Sequence, residues 1–202
     1  MNGMQYGSLT GTPRYQFYPQ ESRVTNITNY SPLDSNYVDE FLRVHDDIDS
    51  AYIASLIKGV TYQVESYCGI ATTPRTMQSY WQYPKQMISL PIKPISAINT
   101  VTKISSDGTE TNLVLNTDYT VTGMNVKYIH LKVDCYALRV TYQAGYETNS
   151  CPDAVQDAIV QEISLQYKNR QDSSQPSRTS VNSLSIEARH LLIGGGFYDH
   201  SR

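Results

Sequence analysis

The stretch 139-RVTYQAGYETNSCPDAVQDAIVQEISLQYKNRQD-172 joins a predicted strand to a predicted helix through a glycine turn. Pro152 suits the first turn of a helix, where its missing N–H would have no partner, and Asp153 adds a favourable charge at the same end. Four residues then recur at every fourth position, which is a helical period: Val155, Ile159, Ile163 and Tyr167. No group of side chains in this stretch resembles a catalytic arrangement, so its clearest signal is structural.

Two further helices are predicted upstream, over residues 34–44 and 46–68. The first presents one apolar face, formed by Val38, Phe41 and Leu42. The second carries a longer apolar stripe, formed by Ile53, Leu56, Ile57, Val60, Val64 and Tyr67. Its N-terminus is crowded by Asp46, Asp47 and Asp49, which predicts capping of the open backbone N–H groups. Gly69 follows the last periodic residue, as a helix-terminating glycine does.

Residues 75–146 change to the two-residue period of strands. Six or seven short strands are expected there, as a small antiparallel sheet or half-barrel. The clearest hairpin alternates β-branched residues on both sides of Asp107-Gly108. Pro91 and Pro94 suit a strand edge or its approach, because proline cannot donate to a ladder. The predicted class is α+β, with this β-region inserted between amphipathic helices over 34–44, 46–68, 152–170 and, in a short piece, 185–193.

The chain divides into an N-terminal arm (1–32), a core domain (33–170) and a linker with a C-terminal segment (171–202). The arm has no helical or strand period, yet it contains Tyr6, Tyr15, Phe17, Tyr18 and Tyr30. Aromatic residues spaced along a polar arm indicate either a segment that becomes ordered on a neighbour or an arm folded over its own domain. The sequence leaves both positions open.

Composition argues against several classes of function. The chain has 202 residues, of which 17% are charged, and a formal net charge of −3. A weakly acidic chain without a run of basic residues is a poor free-standing binder of nucleic acid, because phosphate binding needs clustered lysine and arginine. No apolar run is long enough for a membrane span, and the N-terminus lacks the apolar region of a signal peptide. The 17 tyrosines against 3 phenylalanines suit half-buried strands or surfaces that become interfaces.

Three groups of residues are candidates for chemistry. The segment 45–49, HDDID, has metal-binding side chains, but capping explains its acids and no partner ligands are apparent. Cys68, Cys135 and Cys151 have neither zinc-site nor disulfide-framework spacing, although the position of Cys151 beside a helix N-terminus could lower its pKa. The glycines at 194–196 lack the lysine of a phosphate loop and indicate a helix stop or hinge. No catalytic, metal or cofactor site is predicted.

The order of the predicted elements, with two particular segments, resembles the head–tail connector (adaptor, or head-completion) proteins of tailed bacteriophages. The segments are LPIKPISAINTVTKISSDGTET, at 90–111, and VTYQAGY followed by CPDAVQDAIVQEISLQYKNR, at 140–170. The resemblance extends from about Leu33 to Ile193. It implies a structural virion protein that is not an enzyme, located in the neck and made in the host bacterial cytoplasm.

The resemblance also implies partners. It predicts a homo-oligomeric ring, twelvefold by family expectation, that binds the portal protein and the tail or next neck protein. DNA would pass through the lumen without sequence-specific binding, and no membrane or cofactor is involved. It assigns portal docking to Ile186, Leu191, Leu192 and Ile193. Contacts of the arm with a neighbour would use Tyr15, Phe17 and Tyr18. The angle between subunits would be set by a joint formed by Tyr142, Gly145, Tyr146 and Pro152.

Two alternatives from other classes stay open. Trp81, Tyr80 and Tyr83 could form a stacking platform of a carbohydrate- or peptide-binding module, or they could be half-buried strand aromatics. A small hydrolase with a pair of carboxylates is the other alternative, because such a pair is defined in space and not along the sequence.

Overall fold

The computed structural model of the chain describes residues 17–27, 30–44, 47–147, 150–169 and 184–194. Its elements in chain order are β1 (Glu21–Ile27), α1 (Ser35–Leu42), a 3-10 turn (Asp47–Asp49), α2 (Ser50–Cys68), β2 (Arg75–Gln82), β3 (Met87–Ser89), β4 (Ile95–Ile104), β5 (Glu110–Asn112), β6 (Tyr119–Thr122), β7 (Tyr128–Leu131), β8 (Ala137–Ala144), α3 (Asp153–Asn169) and α4 (Ile186–Gly194). The α+β class and the four predicted helices are therefore confirmed. Within the described ranges, no helix is long and apolar enough to cross a membrane.

The strands form two antiparallel sheets, where the sequence predicted one sheet or a half-barrel. The larger sheet has the order β1-β2-β8-β4-β5, and the smaller one has the order β3-β7-β6. Seven of these strands lie between residues 75 and 146, which confirms the predicted number. The second sheet was missed because strand pairing depends on burial against distant residues. Ile88 and Ile129, for example, belong to the same buried cluster as Met77 of the first sheet.

Two buried clusters hold the fold together. The helical core contains the predicted apolar stripes of α2 and α3, with Ile53, Val60 and Val64 from α2 and Ile159 and Ile163 from α3. The sheet core lies between the two sheets and is centred on Trp81, Leu138, Val140 and Tyr142. Each fully buried aliphatic side chain contributes about 1.5–3 kcal/mol to the stability of such a core.

Of the two predictions for the ends of α2, the one for the C-terminal end is confirmed and the one for the N-terminal end is wrong. Gly69 adopts φ +63° and donates its N–H to the carbonyl of Glu65, so the predicted glycine stop is confirmed. The predicted capping by Asp49 is wrong, since its side chain makes no cap hydrogen bond. Its Oδ2 instead accepts a hydrogen bond of 2.6 Å from the hydroxyl of Tyr167, which ties the start of α2 to the end of α3. His45 and Asp46 lie outside the described residues.

Part of the predicted arm belongs to the larger sheet. β1 pairs antiparallel with β2, with Glu21 opposite Tyr80 and Ile27 opposite Arg75. Cross-strand side-chain bonds support this pairing, including one of 2.7 Å between the hydroxyls of Ser22 and Ser79. For residues 21–27, the arm therefore lies over its own domain.

Candidate assembly interface

The predicted joint connects the two cores directly. Tyr142 is fully buried in the sheet core, and its hydroxyl lies 3.4 Å from that of Ser79. Tyr146, four residues further along, packs against the helical core. Between them, the N–H of Gly145 donates a 2.8 Å hydrogen bond to the carbonyl of Pro94. The joint is thus held by contacts on both sides, which favours one angle between sheet and helix.

Gly145 is required by close approach as well as by conformation. Its φ is +110°, and an added Cβ would overlap the carbonyl oxygen of Thr73. Pro152 completes the joint, because its carbonyl accepts the N–H of Val155 at 2.9 Å and so begins α3. Tyr142, Gly145 and Tyr146 are therefore closely packed at the end of β8, and Pro152 begins α3. Residues 148 and 149, between Tyr146 and Pro152, lie outside the described residues.

A buried ion pair reinforces this region, and the sequence analysis missed it. Glu65 of α2 accepts hydrogen bonds from Arg75 at 2.5 and 2.8 Å. The same carboxylate accepts two more, both of 2.7 Å, from the N–H and hydroxyl of Thr72. One feature of the sequence could have indicated this ion pair: Glu65 is a single glutamate directly after Val64 of the apolar stripe.

The predicted docking residues of α4 divide between its two faces. Leu192 and Ala188 are fully buried in the helical core, so Leu192 is not available to a partner in this conformation. Leu191 is half-buried against the same core. Ile186 and Ile193 are 59% and 51% exposed. They are seven residues apart, two turns of helix, and so share the outward face.

The predicted arm residues are also separated by the structure. The carbonyl of Phe17 accepts hydrogen bonds from Trp81 Nε1 at 3.3 Å and from the N–H of Ser89 at 3.2 Å. Tyr18 is exposed, and its ring meets that of Phe17 edge-on at 4.9 Å. Tyr15 lies outside the described residues.

A groove of about 850 Å³ lies between β1 and α2. Its walls include Val24 from β1 and Tyr62 from α2, both exposed. Ile70 and Met77, from the edges of the two cores, also line it. No sequence signal pointed to this groove, because residues from distant parts of the chain form it.

The tryptophan and the three cysteines considered for a binding or catalytic role are buried or half-buried. Trp81 is fully buried, so its ring cannot form the face of a sugar platform. The proposed lowering of the Cys151 pKa is wrong, since burial raises the pKa of that thiol to about 12. Burial also raises the pKa of Cys68 to about 12. No group of three or more metal-ligating side chains occurs among the described residues.

The two buried carboxylates of the described chain are also committed to structural partners. Glu65 is paired with Arg75. Glu162 accepts from the N–H of Ser185 at 2.8 Å and from Gln166 Nε2 at 3.1 Å. These contacts tie α2 to β2 and α3 to the segment before α4, which leaves neither carboxylate poised for hydrolysis.

Several solved structures have a similar architecture. The chain shares its fold with components of gene transfer agent particles. It matches a chain from the neck of an empty gene transfer agent particle, computed with C6 symmetry, with a TM-score of 0.65 and 14% identity over 85% of this chain and 95% of that chain. A chain of the native gene transfer agent virion matches with a TM-score of 0.63 and 15% identity over 81% and 92% of the two chains.

A third match is to the neck of the native particle, computed with C12 symmetry. Its TM-score is 0.56, with 15% identity over 84% of this chain and 94% of that chain. No family model matches the chain, and no curated protein matches it in sequence. At these identities, the shared feature is the fold.

Proposed function

We propose that this chain is a structural neck protein of a tailed phage or a related particle, and that it forms the ring connector between the portal vertex and the tail. The observation that carries the proposal is the extent of the structural match. More than nine tenths of each of the three matched neck or virion chains is covered, so the similarity involves the whole architecture and not one motif.

A ring requires head-to-tail contacts between two different surfaces of each copy. The larger sheet has β1 at one edge and β5 at the other, so the chain presents distinct surfaces on opposite sides. A ring of twelve copies also obeys sixfold symmetry, so it agrees with the C12 and C6 symmetries of the matched necks. The close packing at Gly145 supports such a ring, because closure depends on a constant angle between neighbours.

The outward face of α4 is the proposed portal-docking surface. Ile186 and Ile193 project from a helix whose opposite side is fixed in the helical core by Ala188 and Leu192. An apolar pair on a firmly seated helix suits docking, since little conformational freedom is lost on binding. Tyr18 is the exposed arm residue proposed to contact a neighbouring protein, and Phe17 supports its ring.

The lumen of the ring would carry DNA without sequence-specific binding. A chain with a net charge of −3 limits attraction to phosphates, which suits a passage and not a binding site. The structural role involves no enzymatic step or cofactor. The chain would be made in the host bacterial cytoplasm and then join the neck with the portal protein and the tail or next neck protein.

Cryo-electron microscopy of the intact particle from this chain's source tests the proposal. With the neck reconstructed under its own symmetry, we expect density that fits this fold as a closed ring between portal and tail. A particle that lacks the chain, or that holds it away from the neck, would overturn the connector role.

Point variants test the docking surface separately. Deleting α4 is unsuitable, because it would remove Leu192 from the helical core. The double variant Ile186→Glu with Ile193→Glu changes exposed positions and should prevent incorporation into heads while the chain stays folded. Ile48→Glu is the matched control, since Ile48 is exposed in the turn before α2. Equal incorporation of the double variant and the control would contradict docking through α4.

A further inference from the structure

The groove between β1 and α2 exposes the inner face of an edge strand. Val24 pairs with Met77 of β2. Paired residues point to the same side of an antiparallel sheet, so Val24 faces the side on which Met77 enters the sheet core. Met77 is nevertheless buried, whereas Val24 is 45% exposed. The sheet core is therefore covered at β2 and uncovered at β1.

The chemistry of the groove favours an uncharged occupant with aromatic or aliphatic side chains. Tyr30 and Tyr62 line it and are exposed. The charged groups at its wall are already engaged. Glu65 is paired with Arg75, and Lys58 Nζ lies 5.7 Å from the centre of the Tyr30 ring. An additional charge in the occupant would have no obvious partner here.

We propose that residues 1–16 of the same chain dock in this groove. The described chain begins at Phe17, and the next two residues, Tyr18 and Pro19, already line the groove. The point where the described chain begins is therefore next to the groove. Its composition matches, because its one charged side chain is Arg14 and its larger apolar and aromatic residues are spread along it: Met1, Met4, Tyr6, Leu9 and Tyr15.

The length of the segment is sufficient. Sixteen extended residues span up to about 50 Å, whereas the seven residues of β1 span only about 24 Å. The segment can therefore turn before Phe17 and run along the whole groove. A short tether also gives an effective concentration in the millimolar range, which favours the chain's own groove over that of a second copy.

The residues that directly follow this segment already pack against their own domain, which favours docking by the same chain. β1 already pairs with β2 of its own sheet, and Phe17 is anchored by Trp81 and Ser89. Large exposed apolar patches are uncommon on free soluble chains, so a cover carried by the chain itself would protect the groove before assembly. The inference does not depend on ring formation, because it concerns the free chain.

Hydrogen–deuterium exchange of the full-length chain, followed by mass spectrometry, tests the inference. In the unmodified chain, we expect the backbone amides of residues 1–16 to exchange about tenfold more slowly than in Val24→Glu, where a charge enters the apolar groove. Tyr62→Ala should relieve the same protection by a smaller factor. Because Tyr62 lies on α2, this second variant leaves the β1–β2 pairing untouched.

Val114→Glu is the matched control. Val114 is an exposed valine beyond β5, at the opposite edge of the sheet, so its variant should retain the protection of residues 1–16. The amides of α3 should exchange at one rate in all four proteins, which verifies folding. Equal exchange of residues 1–16 in the unmodified chain, Val24→Glu and Tyr62→Ala would overturn the inference. Protection that increases with protein concentration would also overturn it, because a second copy would then be the occupant.

Discussion

The joint and the hairpin of β4 and β5 each have an arginine–glutamate ion pair and a glycine with positive φ, but the two regions differ in burial. At the joint, Glu65 and Arg75 form an ion pair whose side chains are 9% and 10% exposed. In the hairpin of β4 and β5, Glu110 pairs with Arg139 of β8, and the side chains are 48% and 33% exposed. Both arginines make two hydrogen bonds to their carboxylate. The pairs differ mainly in how much solvent surrounds them.

Each region also contains a glycine with positive φ. Gly145 has φ +110°, and its missing Cβ leaves room for the backbone of Thr73. Gly108 has φ +87°, and nothing lies within 4 Å of the position of its missing Cβ. A positive φ is thus common to both turns, but only the joint adds close packing. We therefore expect burial, and not residue type, to decide how much each ion pair and each glycine contributes to stability.

The largest difference is expected for the two carboxylates. Glu65→Ala should lower the free energy of unfolding by about 3–5 kcal/mol, because it leaves the buried Arg75 guanidinium without its counter-charge. Glu110→Ala should lower it by less than about 1 kcal/mol, because exposed pairs are solvated and screened. Urea denaturation measures both. Similar losses for the two variants would show that burial does not separate the pairs.

The two glycines should differ by a smaller amount. Gly145→Ala combines an unfavourable φ with overlap at Thr73 and should lower the free energy of unfolding by about 3 kcal/mol. Gly108→Ala has only the unfavourable φ and should lower it by about 1 kcal/mol. Thermal unfolding of the two variants checks this order. The interpretation of the joint fails if Gly108→Ala is the less stable protein.

The faces of α4 extend the comparison to neighbouring residues. Leu192→Ala should lower the free energy of unfolding by about 2–3 kcal/mol, because it leaves a cavity in the helical core. Ile193→Ala should change it by less than about 0.5 kcal/mol, since that side chain is half exposed. Urea denaturation again distinguishes them. A larger effect at Ile193 would mean that the faces of α4 are assigned in reverse.

The last prediction concerns the rates at which the three cysteine thiols are alkylated, and it requires no substitution in the chain. Cys68 and Cys151 are buried in the helical core with pKa values raised to about 12. At pH 8, only about one in ten thousand molecules of each thiol is ionised, so alkylation should be slow. Burial also raises the pKa of Cys135, but this half-buried residue lies near the surface and should react first.

Mass spectrometry after brief exposure to iodoacetamide follows the order of modification. Guanidinium chloride should make all three cysteines react at similar rates, because unfolding removes the burial that raises each pKa. Reaction of Cys151 before Cys135 in the folded chain would show that the helical core opens readily.

Local signals were sufficient for the elements that each carry their own pattern. The four-residue period of α3, the stripe of α2, the glycine stop at Gly69 and the hairpin at Asp107-Gly108 are all present as predicted. These features depend on residues that are neighbours along the chain. Periodicity, a missing Cβ or a short turn therefore determines them before any distant contact forms.

The sequence was a weaker guide to residues that have several possible contact partners. Asp49 was expected to cap α2, but Tyr167, more than one hundred positions later, takes its carboxylate. Trp81 was left as either platform or strand aromatic, and the structure buries it. Both outcomes depend on which distant element packs nearby, and periodicity contains no information about that choice.

By itself, the sequence determined the α+β class, the helices and most strands. Tertiary structure alone decided the division into two sheets, the position of β1 on its own domain, the burial of Glu65 with Arg75 and the outward face of α4. The physical reason is the range of the interactions. Backbone propensity acts over a few residues, whereas strand partners, buried charges and open grooves arise only when distant segments compete for the same apolar surface.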